Sequence, residues 1–555
     1  MKGLIIVCML FGLDAYGQYL TPERTYSRAD TLRGTLNSHR SCYDVTFYDL
    51  TVKVDIPNKS IAGNNKIYFT ATQDFELMQI DLFSELAIEK ILCNGAELKY
   101  KREYNAVFIT MDKKLTAGQT SMIHIFYAGN PRIAVNPPWD GGLTFTRDEM
   151  ERDWIGVSCE GLGASVWWPN KDHLSDEPDS MMIRGIVRED LLCVSNGNLR
   201  KVYDAEDGFK QYDWFVSYPI NNYNVSINIG NYVHFGDTYI NPDGEKLALE
   251  YYVMDYNLDK AKVHFEQVKP MMRCFEEYMG KYPFYRDGYK LIEAPYLGME
   301  HQSGIAYGNK YLAGYMGYDY SGIGATWDYI IIHESGHEWW GNSVSAKDIA
   351  DLWIHEGICS YSEVIYMECL YGYDEAMRYA YHRYQGINNK RPMIGDYDVN
   401  NEGDDIYNKG LALMNTLRHV IHNDALWWNI IRGIQKDFAY QTVTSKQIEN
   451  YISERSGYDL SKIFDQYLRY TKPPLLKYTI VQVGSDLKLT YVWQADVKDF
   501  FMPIKVTKAK DKFDFIVPTS KEQSIVIKDM VTGDFKLDLY GFYYLVNEPG
   551  TLLNE

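Results

Sequence analysis

The sequence predicts an α+β fold divided among several domains, and three changes of pattern along the chain predict it. Between residues 42 and 230, short segments alternate apolar with polar residues, which is typical of strands that bury one face. Between residues 258 and 422, apolar residues recur at helical spacing. After Pro473-Pro474 the alternation returns. A chain of 555 residues is long enough for roughly two to four such domains.

The first residues predict a secretion signal. Lys2 gives the positive start, Gly3–Leu13 is an apolar stretch of signal-peptide length, and Gly17 provides the small residue expected at a cleavage point. This 11-residue stretch is too short to span a bilayer core, which takes about 20 residues. We therefore expect residues 1–17 to be a cleaved signal peptide and the protein to be exported, either to the periplasm or to the medium.

Residues 18–230 are predicted to form a mostly β N-terminal domain. Apolar and polar residues alternate from Leu50 to Ile56, and Pro57-Asn58-Lys59 then turns the chain. The same character continues to the segment 217–230.

Residues 231–470 are predicted to form an α-rich domain. The segments with helical spacing are Leu258–Met279, Thr326–Trp340, Ile349–Leu370 and Gly410–His422. Pro473-Pro474 ends the helical region, because proline neither continues a helix nor tolerates one directly before it. Residues 471–555 alternate again, with turns at Gly484 and Gly533, which predicts a small β domain.

Charge and cysteine usage exclude several functions. The chain has 56 basic and 75 acidic side chains, which gives a formal charge of −19. Nucleic acids and anionic membranes require clustered positive charge, so neither is an expected partner. Apart from Cys8 the cysteines form no CxxC pair, which excludes a cysteine zinc site and a disulfide scaffold. One or two disulfides remain open.

One segment has the spacing of a zinc site. His333 and His337 frame Glu334 in an HExxH motif. On a helix, residues four apart lie one above the other, so both imidazoles can bind one zinc ion. Glu334 projects beside them and can take the proton of a zinc-activated water. The apolar run Ile330-Ile331-Ile332 before the motif predicts that this helix is buried.

The third zinc ligand is predicted on the next helix. A catalytic zinc usually has three protein ligands and one open position. Glu356 follows His337 by 19 residues, and a carboxylate placed there gives the gluzincin arrangement. His355 is the rival ligand, but we expect it on a different side of the helix. Glu363 lies two turns beyond Glu356, where it either orients a ligand histidine or is a surface carboxylate.

Three separated segments resemble the aminopeptidase N and leukotriene-hydrolase family of zinc metallopeptidases, which are gluzincins. HESGHEWWGNSV followed by DLWIHEG is similar to the zinc block of that family in spacing and flanking aromatic residues. Leu297–His301 stands where the family carries its G-x-M-E-N exopeptidase signature, and Tyr407–Gly410 resembles its Y-x-K-G. The similarity covers most of residues 150–470.

The resemblance implies a more detailed architecture. It consists of an N-terminal β saddle, a thermolysin-like α-rich catalytic domain and a small C-terminal β sandwich. Only about 80 residues follow the proline pair, so the large C-terminal helical domain of the family is not expected. We expect a more open cleft as a result, and tolerance of longer peptides.

The resemblance also implies the site residues. They are the zinc ligands His333, His337 and Glu356, and the general base Glu334. Glu300 is expected to bind the free α-amine of a peptide, which excludes blocked and internal peptides because they would leave its charge unpaired. Tyr407 is expected to donate a hydrogen bond to the oxyanion that forms during the reaction.

The signature segment and a loop of the N-terminal domain are expected to hold the substrate. The family uses Gln-x-Glu for the substrate amine, and in Ser158-Cys159-Glu160 the glutamate is matched while Ser158 replaces the glutamine. The family pairs the signature strand with the substrate backbone, which implies that Gly298 and Met299 contact the peptide. Leu297 replaces a glycine and is expected to change the width of the pocket. His301 replaces an asparagine and is expected to make activity more sensitive to pH.

These expectations combine into a zinc aminopeptidase that uses one catalytic zinc ion and removes N-terminal residues from peptides. A thermolysin-like endopeptidase shares the zinc motif but leaves Glu300 without a role. Epoxide hydrolysis also occurs in the family, and no residue specifically supports it. The alternative outside the enzymes is a catalytically silent peptide-binding module, against which the presence of His333, Glu334, His337 and Tyr407 argues. Oligomeric state is not predicted.

Overall fold

The computed structural model of the protein describes residues 24–547. Within them the chain passes from a β-rich region through a helical region to a second β-rich region, so the predicted multidomain α+β fold is confirmed. The predicted signal peptide, residues 1–17, lies outside the described residues. The domain limits 18–230, 231–470 and 471–555 stay predictions.

The N-terminal region, residues 43–230, consists mainly of strands. They are β1 (Tyr43–Asp55), β2 (Ser60–Ala71), β3 (Phe75–Asp81), β4 (Leu86–Cys93), β5 (Ala96–Glu97), β6 (Lys99–Glu103), β7 (Ala106–Leu115), β8 (Thr120–Gly129), β9 (Gly142–Arg147), β10 (Asp153–Ser158), β11 (Ser180–Arg188), β12 (Leu192–Ser195), β13 (Asn198–Asp204), β14 (Phe209–Val216) and β15 (Ile227–Gly230). The alternating residues Leu50, Val52 and Val54 are buried in β1, as their spacing predicts.

These strands form three sheets. An eight-stranded sheet has the order β13-β14-β11-β1-β2-β8-β4-β5, a four-stranded sheet the order β12-β15-β10-β9, and a three-stranded sheet the order β3-β7-β6. Strand β10 ends at Ser158, so the four-stranded sheet is the element that places Glu160.

Two short helices precede the first strand, within the part of the chain that is predicted to be mostly β. The helix α1 (Arg28–Gly34) begins with a capping box between Ser27 and Asp30. The helix α2 (Ser38–Ser41) is capped by the side chain of Asn37. The spacing of Ser27 and Asp30 was the sequence signal that could have predicted α1.

The N-terminal arm, which we define as residues 24–37, contacts a distant loop of the helical region, residues 396–401. Thr35 Oγ1 donates a hydrogen bond to the carbonyl of Asp398 at 2.9 Å across 363 positions of sequence. Gly34 approaches Asn400 so closely that a Cβ on Gly34 would lie 2.2 Å from the Asn400 amide nitrogen. The arm is therefore packed against this loop by its backbone.

The part of the chain that follows residue 230 begins with a five-stranded sheet. Its strands are β16 (Tyr232–Ile240), β17 (Lys246–Met254), β18 (Tyr289–Glu293), β19 (Gly298–Met299) and β20 (Ile305–Tyr307), in the order β16-β17-β18-β20-β19. Strand β19 pairs antiparallel with β20 and lies at the edge of the sheet. Ala294, Tyr296 and Met299 belong to the same buried cluster as the N-terminal strands, so this edge is packed against the N-terminal region.

Nine helices of the described residues make up the rest of the helical region. They are α3 (Leu258–His264), α4 (Val268–Met279), α5 (Tyr329–Gly336), α6 (Trp353–Tyr371), α7 (Tyr373–Tyr384), α8 (Asn408–Ile421), α9 (Asp424–Asp437), α10 (Ser445–Ser456) and α11 (Ser461–Arg469). A disulfide between Cys274 and Cys369 joins α4 to α6. Among the helices of residues 24–547, none combines the length and apolar character needed to cross a membrane.

The remaining strands complete a small sheet in the helical region and the C-terminal sheets. They are β21 (Val344–Ala346), β22 (Gln441–Val443), β23 (Leu475–Val483), β24 (Asp486–Gln494), β25 (Ile504–Ala509), β26 (Lys512–Ile516), β27 (Gln523–Ile527) and β28 (Leu545–Val546). Helix α11 ends at Arg469, just before the proline pair. Leu476 and Trp493 of the C-terminal sheets are buried in the same cluster as the nine helices, so these sheets support the helical region.

Candidate active site

The helix that carries the zinc motif, α5, has a fixed starting point. The Asp328 side chain accepts hydrogen bonds from the amides of Ile330 at 2.9 Å and Ile331 at 3.3 Å, which caps the helix. Its second oxygen contacts His264 and Tyr307, each at 2.7 Å. Because the cap is held from several directions, the height of the motif histidines along the helix axis is fixed.

Both motif histidines turn their Nε2 atoms toward one point. The opposite ring nitrogens are held: His333 Nδ1 lies 2.8 Å from Glu363 Oε1, and His337 Nδ1 lies 2.9 Å from the carbonyl of Trp340. An acceptor on Nδ1 selects the tautomer in which Nε2 keeps its lone pair for a metal. The two Nε2 atoms are 3.3 Å apart. Glu363 is thus a partner of a motif histidine and is fully buried, not a surface carboxylate.

Glu356 on α6 brings the third donor atom. Its Oε2 lies 3.5 Å from His333 Nε2 and 3.3 Å from His337 Nε2. Ligands about 2.0–2.1 Å from a tetrahedral zinc ion stand about 3.3–3.4 Å from one another. This oxygen is also buried and has no hydrogen-bond partner among residues 24–547. The three donor atoms therefore have the spacing and the unsatisfied valence that zinc requires.

We expect Glu363→Gln to lower zinc affinity about 10–100-fold, because the amide no longer fixes the His333 tautomer with a charge. Glu363 also pairs with the buried Arg383, whose Nη1 lies 2.7 Å from Glu363 Oε2, so the variant loses some stability as well. The measurement is zinc content after dialysis against graded chelator.

Glu368→Gln is the matched control. It removes a carboxylate from the same helix and from another buried arginine, Arg418, whose Nη2 lies 3.0 Å from Glu368 Oε1. This control should lose stability but keep its zinc. Equal zinc loss in both variants would mean that Glu363 acts through the fold alone.

Tyr407 is brought to the zinc ligands by a close crossing of α6 and α8. A Cβ on Gly410 would lie 2.4 Å from Gly357 Cα, so the two helix backbones touch at this pair of glycines. The contact places Tyr407, at the N-cap of α8, beside Glu356 at the start of α6. The Tyr407 hydroxyl donates a hydrogen bond to Glu356 Oε1 at 2.8 Å.

Lys409 of the same segment has a structural position. Its Nζ donates to the carbonyls of Tyr470 at 3.1 Å and Thr471 at 2.8 Å. Burial lowers the pKa of Lys409 to about 8. The lysine therefore ties the start of α8 to the connection after α11 and does not face the zinc ligands.

Two further carboxylates lie next to the zinc ligands. One oxygen each of Glu160, Glu300 and Glu356 lies within 4.8 Å of the others. Glu300 Oε1 accepts a hydrogen bond from the Tyr223 hydroxyl at 3.0 Å, whereas Glu160 Oε1 is buried without a partner among the described residues. Burial raises the pKa of both Glu160 and Glu300, since it removes water from their charged forms. A cation placed between them would restore both charges.

The N-terminal arm reaches the neighbourhood of Glu160. A cavity of about 30 Å³ is lined by Glu160 and Tyr223 together with Arg33 and Gly34 of the arm and Asn400. This volume has room for about two water molecules at roughly 10–15 Å³ each. It does not have room for another amino-acid residue.

The strand of the signature segment runs along the other side of the site. Gly298 in β19 lies against the motif helix: a Cβ on Gly298 would lie 3.0 Å from Glu334 Oε1 and 2.7 Å from Ile330 Cγ2. One oxygen of Glu334 is also within 4.8 Å of donor atoms of Glu300 and His337. Glu334 therefore stands between the strand edge and the zinc ligands.

We expect Gly298→Ala to lower kcat at least tenfold, because the added methyl group displaces the Glu334 carboxylate from its position. The matched control is Gly304→Ala in the same segment, where a Cβ would meet its nearest atom at 3.5 Å, an ordinary contact. Steady-state kinetics on one peptide amide compares the two. Equal kcat values would show that the strand does not fix Glu334.

Two histidines near the site do not face the zinc ligands. His301 is fully buried, and burial lowers its pKa to about 3, so it is neutral near pH 7. The expectation that His301 makes activity more sensitive to pH is therefore wrong. His355 Nε2 accepts a hydrogen bond from the Ala346 amide at 2.7 Å, which directs this ring away from the donor atoms.

The structure adds site residues that the sequence analysis missed. Tyr223 contacts Glu300, and Arg383 contacts Glu363; each comes from a distant segment, and no local motif marks them. Cys359 lies one turn after Glu356, and its Sγ lies within 4.8 Å of ring nitrogens of both His333 and His337. Helical spacing from Glu356 could have predicted Cys359.

Residues 263–467 match the sequence profile of the peptidase family M1 domain. The matched segment is thus similar to an M1 peptidase domain, and it includes the three donor residues, Glu334, Glu300 and Tyr407. Glu160 and the N-terminal arm lie before it in sequence, so the site is built from the matched segment and the N-terminal region together.

Curated proteins similar to this chain include a hydrolase and an aminopeptidase. Leukotriene A-4 hydrolase of Xenopus laevis is 21% identical over 444 residues, which is 74% of this chain and 68% of that protein. Aminopeptidase N of Haemophilus influenzae is 27% identical over 172 residues, which is 30% of this chain and 19% of that protein. The chain thus spans only a small part of the second relative.

Solved structures of M1 enzymes share the fold of this chain. The M1 zinc metallopeptidase of Deinococcus radiodurans aligns with a TM-score of 0.66 at 18% identity, covering 79% of this chain and 96% of that chain. A glutamate-to-alanine mutant of that enzyme, bound to the substrate Tyr-Ser-Ala, aligns with a TM-score of 0.65. The likeness places the N-terminal region and the matched segment within one known architecture.

Proposed function

We propose that this protein is a zinc aminopeptidase that hydrolyses the first peptide bond of peptides with a free N-terminus. The observation that carries the proposal is the arrangement of Glu160 and Glu300. Both carboxylates stand beside the three donor atoms, and the cavity beside Glu160 and Tyr223 has room only for about two water molecules. An ammonium group between the carboxylates supplies the missing positive charge, and a further amino-acid residue does not fit into that cavity.

Different residues along the cleft bind the amine, pair with the peptide backbone and transfer the proton. Glu300 and Glu160 bind the α-amine, and the edge strand β19 offers backbone groups to the peptide. With the amine at Glu300, the first peptide bond falls near Gly298 and so next to Glu334. Glu334 takes the proton from the attacking water and passes it to the leaving amine.

His333, His337 and Glu356 would hold the zinc ion. When bound, zinc supplies Lewis-acid chemistry that polarises the carbonyl and activates water. Tyr407 stacks its ring on His333 and donates its hydroxyl to Glu356, and the hydroxyl can leave that carboxylate and donate to the oxyanion developing on the carbonyl. Tyr407 is 42% exposed, so this movement does not require the core to repack.

We also propose that the protein is exported. The signal-like residues 1–17 motivate this, and the disulfide between Cys274 and Cys369 supports it, because disulfides persist mainly in oxidising compartments. N-terminal sequencing of the protein from its native host tests the proposal. A mature chain starting near Gln18 is expected, and an uncut chain in the cytosol would overturn it.

A panel of aminoacyl amides, each supplied free and N-acetylated, tests the aminopeptidase proposal. We expect cleavage of the free set alone, and loss of that cleavage on chelation with recovery on added zinc. Equal cleavage of the acetylated set would favour a thermolysin-like endopeptidase. No cleavage by zinc-loaded protein that still binds free peptides would favour a peptide-binding module.

The variant Glu300→Gln, assayed with the same amides, tests whether the charge of Glu300 recognises the substrate amine. The amide keeps the hydrogen bond with Tyr223 but not the negative charge, so we expect kcat/KM for the free amides to fall about 10²-fold. Hydrolysis of acetylated amides should stay at its low level. An unchanged kcat/KM for free amides would remove Glu300 from amine recognition.

A further inference from the structure

The strand edge opposite the amine site leads to a second, larger cavity. Its volume is about 320 Å³, which is in the range that holds a ligand side chain. We call it the aromatic cavity. Its apolar walls are Trp139, Trp154, Tyr296, Leu297, Tyr311 and Met316.

Two of these wall residues are unusually exposed. Trp139 is 64% exposed and Met316 is 51% exposed, although both are large and apolar. Clustered exposed apolar side chains mark surfaces that bind a partner or a ligand. Glu149, Lys260 and Lys310 also line the cavity, so polar groups of a bound backbone find partners there.

The path of the chain connects the aromatic cavity to the site. Gly298 lies against Glu334, and the next residue back along the strand, Leu297, is already part of the cavity wall. The residue before that, Tyr296, donates a hydrogen bond from its hydroxyl to the Val157 carbonyl at 2.6 Å. The cavity therefore lies where the chain before β19 contacts the N-terminal region.

The position of a bound peptide follows from the strand. A peptide with its α-amine at Glu300 runs antiparallel to the strand, toward Leu297 and Tyr296. A bound peptide is extended and advances about 3.3 Å per residue. The strand β19 covers only Gly298–Met299, and the chain bends at residues 295–297, so the third and fourth peptide residues pass beyond the strand toward Leu297 and Tyr296 in the cavity wall.

We propose that the aromatic cavity binds an aromatic or long aliphatic side chain at the third or fourth residue of the substrate. The preferred substrates are then oligopeptides with such a residue downstream of the cleaved bond. This proposal rests on the proposed aminopeptidase function, because the amine site sets the direction of the peptide. Leu297 gives the cavity a wall that a glycine at this position would not provide.

Four peptides of one N-terminal residue Xaa, the best in the amide panel, test the proposal: Xaa-Gly, Xaa-Gly-Gly-Gly, Xaa-Gly-Phe-Gly and Xaa-Gly-Gly-Phe. We expect the better phenylalanine peptide to exceed Xaa-Gly-Gly-Gly about tenfold in kcat/KM, since it buries an aromatic side chain. Trp139→Ala and Met316→Ala should bring this ratio toward one. Tyr104→Ala, a change at a 61% exposed tyrosine of the N-terminal region, should keep it.

The same peptides are titrated calorimetrically into zinc-loaded Glu334→Gln protein, which reports binding without turnover. A phenylalanine preference in this binding, with no cleavage of Xaa-Gly by the wild type, would overturn the aminopeptidase proposal and support the cavity. If the better phenylalanine peptide and Xaa-Gly-Gly-Gly have about equal kcat/KM and about equal affinity, the cavity proposal is overturned. It is also overturned if the phenylalanine preference persists in both Trp139→Ala and Met316→Ala.

Discussion

Glu334→Gln is expected to lower kcat about 10²–10⁴-fold while leaving zinc bound. The carboxylate lies within reach of both the amine site and the zinc ligands, with donor atoms of Glu300 and His337 inside 4.8 Å. General acid–base catalysis by a positioned group contributes about this factor. The amide has the same shape but cannot accept a proton, so peptide binding should change little. Single-turnover kinetics with a free aminoacyl amide measures the loss, and metal analysis measures the zinc.

The pH profile gives this prediction a second readout. Burial raises the pKa of the Glu334 carboxyl to about 7, and a cation bound nearby lowers it. In the zinc-loaded wild type, kcat should therefore rise with pH below neutrality, as the carboxylate loses its proton. The variant should lose this rising limb. A variant with wild-type kcat and an unchanged profile would assign the base to another residue.

Tyr407→Phe is expected to lower kcat about 10²–10³-fold with KM nearly unchanged. Removal of one donor to an oxyanion has this effect, because the hydrogen bond strengthens only as charge develops on the carbonyl. In the resting protein the hydroxyl donates to Glu356 at 2.8 Å, so the variant also leaves this zinc ligand with one contact fewer. Zinc content has to be measured beside the kinetics to separate the two effects.

Tyr397→Phe provides the comparison. Tyr397 is 48% exposed and its hydroxyl also donates to a carboxylate, Asp351, at 2.7 Å, but that carboxylate is not a donor of the zinc triad. This control should keep kcat. If the Tyr407→Phe variant has a raised KM and the kcat of the wild type, the hydroxyl contributes to substrate binding but not to stabilisation of the transition state.

The fold class could be predicted because its signals are local. The alternation of Leu50, Val52 and Val54 follows from burial of one face of a strand, and it survives in the structure. The motif helix came out shorter than its apolar pattern, Thr326–Trp340, because Asp328 caps it and the chain leaves the helix after Gly336. The helix α1 was missed because a polar seven-residue helix has no long apolar period.

The candidate site could be predicted only where its residues share a motif. His333, His337 and Glu356 follow from spacing on two helices and from a resemblance, and their donor atoms do meet. Tyr223 could not be found in this way, because its contact with Glu300 spans 77 positions and depends on how two regions pack. His301 was misjudged for a related reason, since burial is a property of the fold and not of the motif.

The contact of the N-terminal arm with the loop 396–401 affects the order in which parts of the site form while the chain is being synthesised. Arg24 and Asn401 form a hydrogen bond across 377 positions, so the first part of the arm is made long before its partner. Contacts of such large sequence separation form late in folding. During synthesis the zinc helix is complete before the loop 396–401 is made. The loop residue Asn400, which lines the cavity beside Glu160, is therefore made only after all three donor residues, His333, His337 and Glu356.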